Sequence, residues 1–180
     1  MPTLTVNLQT VHPSEPWWPD EDQLGDKLSR LVKHNLETGA PTTAVVVHRD
    51  RVVLVPLRPF VEAKVNLPML LAGLARWDEG DGLPEAIGLV GRVQLRRGKD
   101  AGWVPLATVF LEWPDGRWWH WQTLLDADGA MLEDTESTER ATDGLPRPNG
   151  LGGWWRLARL RKPNLNLRRH TPALGSELVQ

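Results

Sequence analysis

One run of residues constrains this chain more than any other. In Trp103–Trp113, Trp103, Ala107, Val109 and Leu111 fall on one side of an extended backbone, and Val104, Leu106 and Phe110 fall on the other, because successive side chains of a strand point to opposite faces. A strand apolar on both sides belongs in the middle of a sheet that is covered twice. Its neighbours in sequence, Ala86–Arg97 and Arg117–Leu125, are joined to it by Gly98–Gly102 and by Pro114-Asp115-Gly116. Such links suit hairpins and are too short for crossovers, so the three strands form an antiparallel meander. The first of them is one-sided, with Ile87, Leu89, Val93 and Leu95 opposite Arg92, Gln94 and Arg96. The second apolar face of the central strand therefore needs a cover, from the rest of the chain or from another molecule.

The remaining pattern supplies elements to build around this meander. Residues 3–11 alternate, Leu4, Val6 and Leu8 against Thr3, Thr5, Asn7 and Gln9, as in a half-buried strand. Pro13, Pro16 and Pro19 exclude regular structure between them. A helix is expected over 20–38, with Asp20 as N-cap and Gln23 completing a capping box. Asp20, Glu21 and Asp22 suit its positive end, and Lys33 and His34 its negative end. Leu24, Leu28, Leu31 and Val32 recur at helical spacing before Gly39, a natural stop. Thr42–Arg49 and Arg51–Leu57 are β-branched runs about Arg49-Asp50, a hairpin closed by Pro56 and Pro59. A second helix is expected over Leu67–Trp77, with Pro68 in its first turn. The fold class is α+β: an antiparallel, in part mixed, sheet of about five to six strands with two main helices.

Beyond residue 125 the charge pattern splits. Residues 126–143 carry seven carboxylates against one cation, Arg140, and residues 144–176 carry seven cations and no carboxylate. A glycine- and proline-rich linker, 144–153, separates the two, and a short helix is expected at Trp154–Lys162, stopped by Pro163. The organisation expected is a core domain over 1–125 and, over 126–180, an acidic then basic segment docked on that core. A net charge of −2 disfavours a globally basic nucleic-acid binder. No stretch approaches eighteen apolar residues, and the start lacks a basic, then apolar, leader. The expected protein is soluble and cytoplasmic, with no membrane partner.

Little catalytic chemistry is written here. Without cysteine there is no thiol nucleophile and no thiolate metal site, and without tyrosine no phenolic acid or base. None of the four serines sits in a nucleophile elbow. There is no phosphate-binding loop or dinucleotide fingerprint. The histidines show no metal-binding spacing, so neither cofactor nor metal is expected. His120, within Trp118-Trp119-His120-Trp121, with Glu112 on the preceding strand, is the weak catalytic candidate. Its plainer reading is a hydrogen-bonded sheet residue. Asp126-Ala127-Asp128-Gly129 reads as a turn, because a calcium loop needs its glycine at position six. Gly150-Leu151-Gly152-Gly153 before a helix is suited to an anion, although such runs are mostly linkers.

The stronger candidate is a partner-binding segment: Trp154, Trp155, Arg156, Arg159, Arg161, Lys162, Arg168 and Arg169. Indole and guanidinium groups dominate interface anchors, and the chain holds ten tryptophans and sixteen arginines against five lysines, a bias that high-GC codon usage also produces. The same residues suit a protein groove, a single strand of nucleic acid, or the uncovered face of the chain's own sheet. Packing decides between these, since exposed ion pairs contribute only about 0–1 kcal/mol each. Over 20–162, the order helix, hairpin, helix, meander, short helix is similar to that of roadblock and profilin-like domains. That resemblance implies a small α/β module that dimerises or scaffolds other proteins. The function expected is a non-enzymatic interaction module, binding a protein partner or a second copy; single-stranded nucleic-acid binding is the alternative.

Overall fold

The computed structural model describes residues 4–6, 8–11, 21–38, 42–76, 83–96, 99–141, 152–161 and 167–169. The chain begins with β1 (Leu4–Val6), β2 (Gln9–Val11) and α1 (Glu21–Thr38). The hairpin β3 (Thr43–Val47) and β4 (Val52–Pro56) follows, then α2 (Arg58–Glu62) and α3 (Leu67–Leu74). The meander β5 (Ala86–Arg96), β6 (Trp103–Glu112) and β7 (Trp118–Leu124) is extended by β8 (Ser137–Ala141). α4 (Trp154–Arg161) and β9 (Leu167–Arg169) complete the described chain.

Seven strands form one antiparallel sheet in the order β2-β4-β3-β5-β6-β7-β8. The fold is α+β, as the alternation of the central strands requires. Each face has its own apolar core. On one, Leu24, Leu28 and Val32, spaced four apart along α1, cover Val45, Val47, Val90, Val109, Leu111, Trp119 and Trp121. On the other, α3 and α4 with Phe60 of α2 cover Val46, Val53, Val55, Ile87, Leu89, Phe110 and Trp118. The α3 helix is begun by Asn66, whose side chain accepts from Met69 N at 3.1 Å, with Pro68 in the first turn, where a missing N–H leaves no bond unmade.

Several details depart from the sequence reading. The strand expected over 3–11 divides: β2 joins the large sheet, whereas β1 pairs in parallel with β9, Leu4 opposite Leu167 through Val6 opposite Arg169. Pro59 ends no strand; it stands in the first turn of α2, the position helices tolerate best. The acidic run contains β8, so the large sheet continues past residue 125. Helix α1 reaches Thr38, which leaves Lys33 and His34 short of its last turn. Lys33 instead meets Glu136 at 2.6 Å and lies 5.5 Å from the Trp121 ring centre. Asp20, Gly39, Lys162 and the 144–151 part of the linker lie outside the described residues.

A glycine explains how closely α1 lies on the sheet. A methyl group at Gly25 would sit 2.4 Å from the Trp119 ring, which is buried and also donates Nε1–H to Asp22 at 3.1 Å. Gly25→Ala is expected to lower stability by about 1–3 kcal/mol, because the overlap with a fixed indole outweighs the helix propensity of about 1 kcal/mol that alanine adds. Urea denaturation measures it; an unchanged midpoint would mean that the indole yields.

Candidate functional site

The structure brings Glu112 and the start of α4 together on the second face of the sheet. Gly152 and Gly153 have φ of +88° and +79°, a conformation that costs a residue with a Cβ. They turn the backbone so that Gly153 N and Trp155 N both donate to the Glu112 carboxylate, Trp155 N to Oε1 at 3.2 Å. Trp155 Nε1 donates to the backbone oxygen of Glu112 at 3.0 Å. The anion at this helix start is thus a buried side chain of the protein itself, favoured by the unpaired N–H groups and the helix dipole. Trp154 and Trp155 are 4% and 7% exposed, and Trp154 meets Phe110 edge to face at 5.4 Å. Arg76 Nη1 ties α3 to Ala158 O at 3.3 Å.

His120 lies on the same face, 1% exposed, and packs at an angle against Phe110. Its Nε2 is 2.9 Å from Thr108 Oγ1, and that hydroxyl donates to Trp121 O at 3.2 Å. A hydroxyl has one hydrogen, so Nε2 carries the imidazole proton, and Nδ1 has no hydrogen-bond partner among the described residues. Burial pushes the imidazole down to about 4, because a charged ring would lose its hydration. Glu112 is equally buried and holds α4. The pair does not converge on solvent, and each has a structural task. No group of three or more acidic or histidine side chains is arranged to hold a metal among the described residues.

Of the partner-binding candidates, Trp154 and Trp155 face inward, whereas Arg156 and Arg159 are exposed on the outer side of α4. Arg159 Nη1 reaches Pro114 O at 3.4 Å. Arg161 ends α4, and Arg168 and Arg169 belong to β9. A base cannot stack on Trp154 or Trp155 while α4 is docked.

Sequence reasoning missed a different surface. β5 and β6 pair without interruption from Ile87–Glu112 to Arg96–Trp103, but β3 leaves β5 at Val90 and β7 leaves β6 at Leu106. Thr42 Oγ1 still donates to Arg92 O at 2.7 Å, and Leu125 N to Pro105 O at 3.0 Å. Past these contacts, among the described residues, Val93–Arg96 and Trp103–Val104 have only each other as strand neighbours, a two-stranded arm about 13 Å long at roughly 3.3 Å per residue. Trp103 is 61% exposed and Val104 is also exposed. The central strand is therefore covered twice only along Leu106–Leu111; at Trp103 and Val104 the apolar alternation continues into solvent. The available signal was length, since β5 and β6 read longer than the β3 and β7 beside them.

An open cleft of about 430 Å³ lies at the base of the arm, lined by Arg92, Gln94, Pro105, Leu125 and the Asp126–Gly129 turn. Arg92 Nη2 donates to Leu36 O near the end of α1 at 2.9 Å, where a cation suits the helix dipole. Asp126 Oδ1 accepts from Asp128 N and Ala130 N, each at 2.9 Å, which makes the expected turn. The chain matches no family model, no curated protein and no solved structure.

Two outcomes follow from the buried acid and the buried imidazole. Glu112→Gln is expected to cost about 1–3 kcal/mol, because an amide cannot accept both N–H bonds with charge. Limited proteolysis should then cut within α4, Trp154–Arg161, before the sheet unfolds; an unchanged digestion pattern would contradict the role given to Glu112. For His120 the folded pKa, about 4, lies below the unfolded value, which is about 6.5. The unfolded chain binds the extra proton in that window, so stability is full above it and falls as pH drops, by about 2 kcal/mol at pH 5. His120→Gln should flatten this slope in urea titrations between pH 4 and 7, and an unaltered slope would exclude the assignment.

Proposed function

We propose that this chain is a non-enzymatic, cytoplasmic protein-interaction module whose contact surface is the arm of β5 and β6. The observation that carries the reading is an indole left 61% exposed on a strand pair that outruns its sheet. Tryptophan is among the residue types most enriched at interface anchors, and the strands of the arm offer backbone groups that a partner can pair. The C-terminal segment contributes through the outward Arg156 and Arg159 and the exposed Leu160, rather than through its indoles. His120 and Glu112 are accounted for by the core, which removes the motive for an enzymatic reading built on them. Among the described residues no helix is long and apolar enough to cross a membrane.

The test replaces Trp103 by alanine together with Val104 by serine. Both side chains are exposed, so folding is expected to survive, with circular dichroism as the check. Loss of a central indole anchor typically costs about 2 kcal/mol or more, roughly a thirtyfold loss of affinity. Quantitative recovery of bound protein from extracts of the source cells should fall at least about tenfold relative to the unmodified bait. Equal recovery with both baits would overturn the reading.

A further inference from the structure

We propose, building on the interaction reading above, that the partner is a second copy of this chain, whose β8 edge, with the acidic segment just before it, adds to the open edge of β5. The two edges are complementary. Residues 91–104 carry four cations, Arg92, Arg96, Arg97 and Lys99, against the single carboxylate Asp100. Residues 133–141 carry four carboxylates, Glu133, Asp134, Glu136 and Glu139, against the single cation Arg140.

Among the described residues, no strand lies against either edge. β5 has lost β3 beyond Val90, and β8 has a neighbour on one side only among the described residues. Their lengths are similar, four residues in Val93–Arg96, past the Thr42 contact to Arg92 O, and five in Ser137–Ala141. The charges of β8 and of the turn before it are only partly absorbed internally. Arg140 is engaged by Asp22 at 2.5 Å and Glu136 by Lys33, while Glu133, Asp134 and Glu139 are exposed and make no ion pair among the described residues. Within one molecule the edges cannot meet, because β6 and β7 stand between β5 and β8, a separation of about 14 Å at roughly 4.8 Å per strand.

A contact between two different edges is heterologous. Each copy keeps one edge of each kind, so assembly continues into a ring or an open chain rather than stopping at a symmetric dimer. Charged edges otherwise serve to prevent pairing; here the opposite signs leave one pairing favoured and like-to-like pairings repelled.

The experiment is light scattering coupled to size exclusion, on the full chain, over a hundredfold range of concentration. At about 50 mM salt the mass should at least double with concentration, and at about 500 mM it should fall towards the monomer as charges are screened. Arg96→Glu with Arg97→Glu makes both edges acidic, and Glu133→Lys with Glu139→Lys makes both basic. Each double variant alone should be monomeric, and an equimolar mixture of the two should regain the high mass. A wild-type chain that is monomeric throughout, or variants that associate as it does, would overturn the proposal. If such a monomer still recovers a different protein in a Trp103-dependent manner, edge pairing alone has failed; if it recovers none, the interaction reading fails with it.

Discussion

The second face of the sheet depends on one docking event, the seating of α4 on Glu112. An indole buries about 150–250 Å², so Trp154 and Trp155 together contribute several kcal/mol at roughly 25 cal/mol per Å². The carboxylate beneath them satisfies N–H groups that would otherwise be unpaired at the helix start, and an anion there adds up to about 2 kcal/mol. Packing supplies most of the stabilisation, and Glu112 gives it an orientation. With α4 in place, Phe110, Trp118 and His120 are buried beneath helices.

That arrangement changes what the tryptophans mean. Trp118, Trp119, Trp121, Trp154 and Trp155 are all buried, each with an apolar cover, and Trp119, Trp121 and Trp155 also have a partner for the indole N–H. They are core residues that happen to be large. Trp103 is different because the sheet ends before it does. An interaction surface here is made by unequal strand lengths, not by a segment rich in anchors.

Much of the architecture was legible in the residues. Leu24, Leu28 and Val32 place a helix on a sheet face, Val45 to Val47 and Val52 to Val55 make a buried hairpin, and Pro68 starts a helix close to where α3 begins. Less legible were α2, where Pro59 reads equally as a strand stop or a helix start, and β8, whose Ser-Thr-Glu-Arg-Ala has no apolar alternation because an edge strand needs none. The candidate site was read only in part. Trp154 and Arg156 are neighbours with the same compositional appeal, and helical geometry sends one inward and the other out. Glu112 reads as a neighbour of His120 on the preceding strand; its bond to α4, forty residues on, leaves no local trace.

By itself the sequence determined the alternation of the meander, the amphipathic α1, the absence of thiol chemistry and the opposition of acidic and basic runs, all of which follow from spacing and side-chain type. Only the tertiary structure decided which molecule covers the second face, which indoles are buried, and where β3 and β7 stop so that, among the described residues, β5 and β6 pair only with each other. Those are relations between segments far apart in the chain, set by how long each strand stays paired and by which buried polar group a helix end finds.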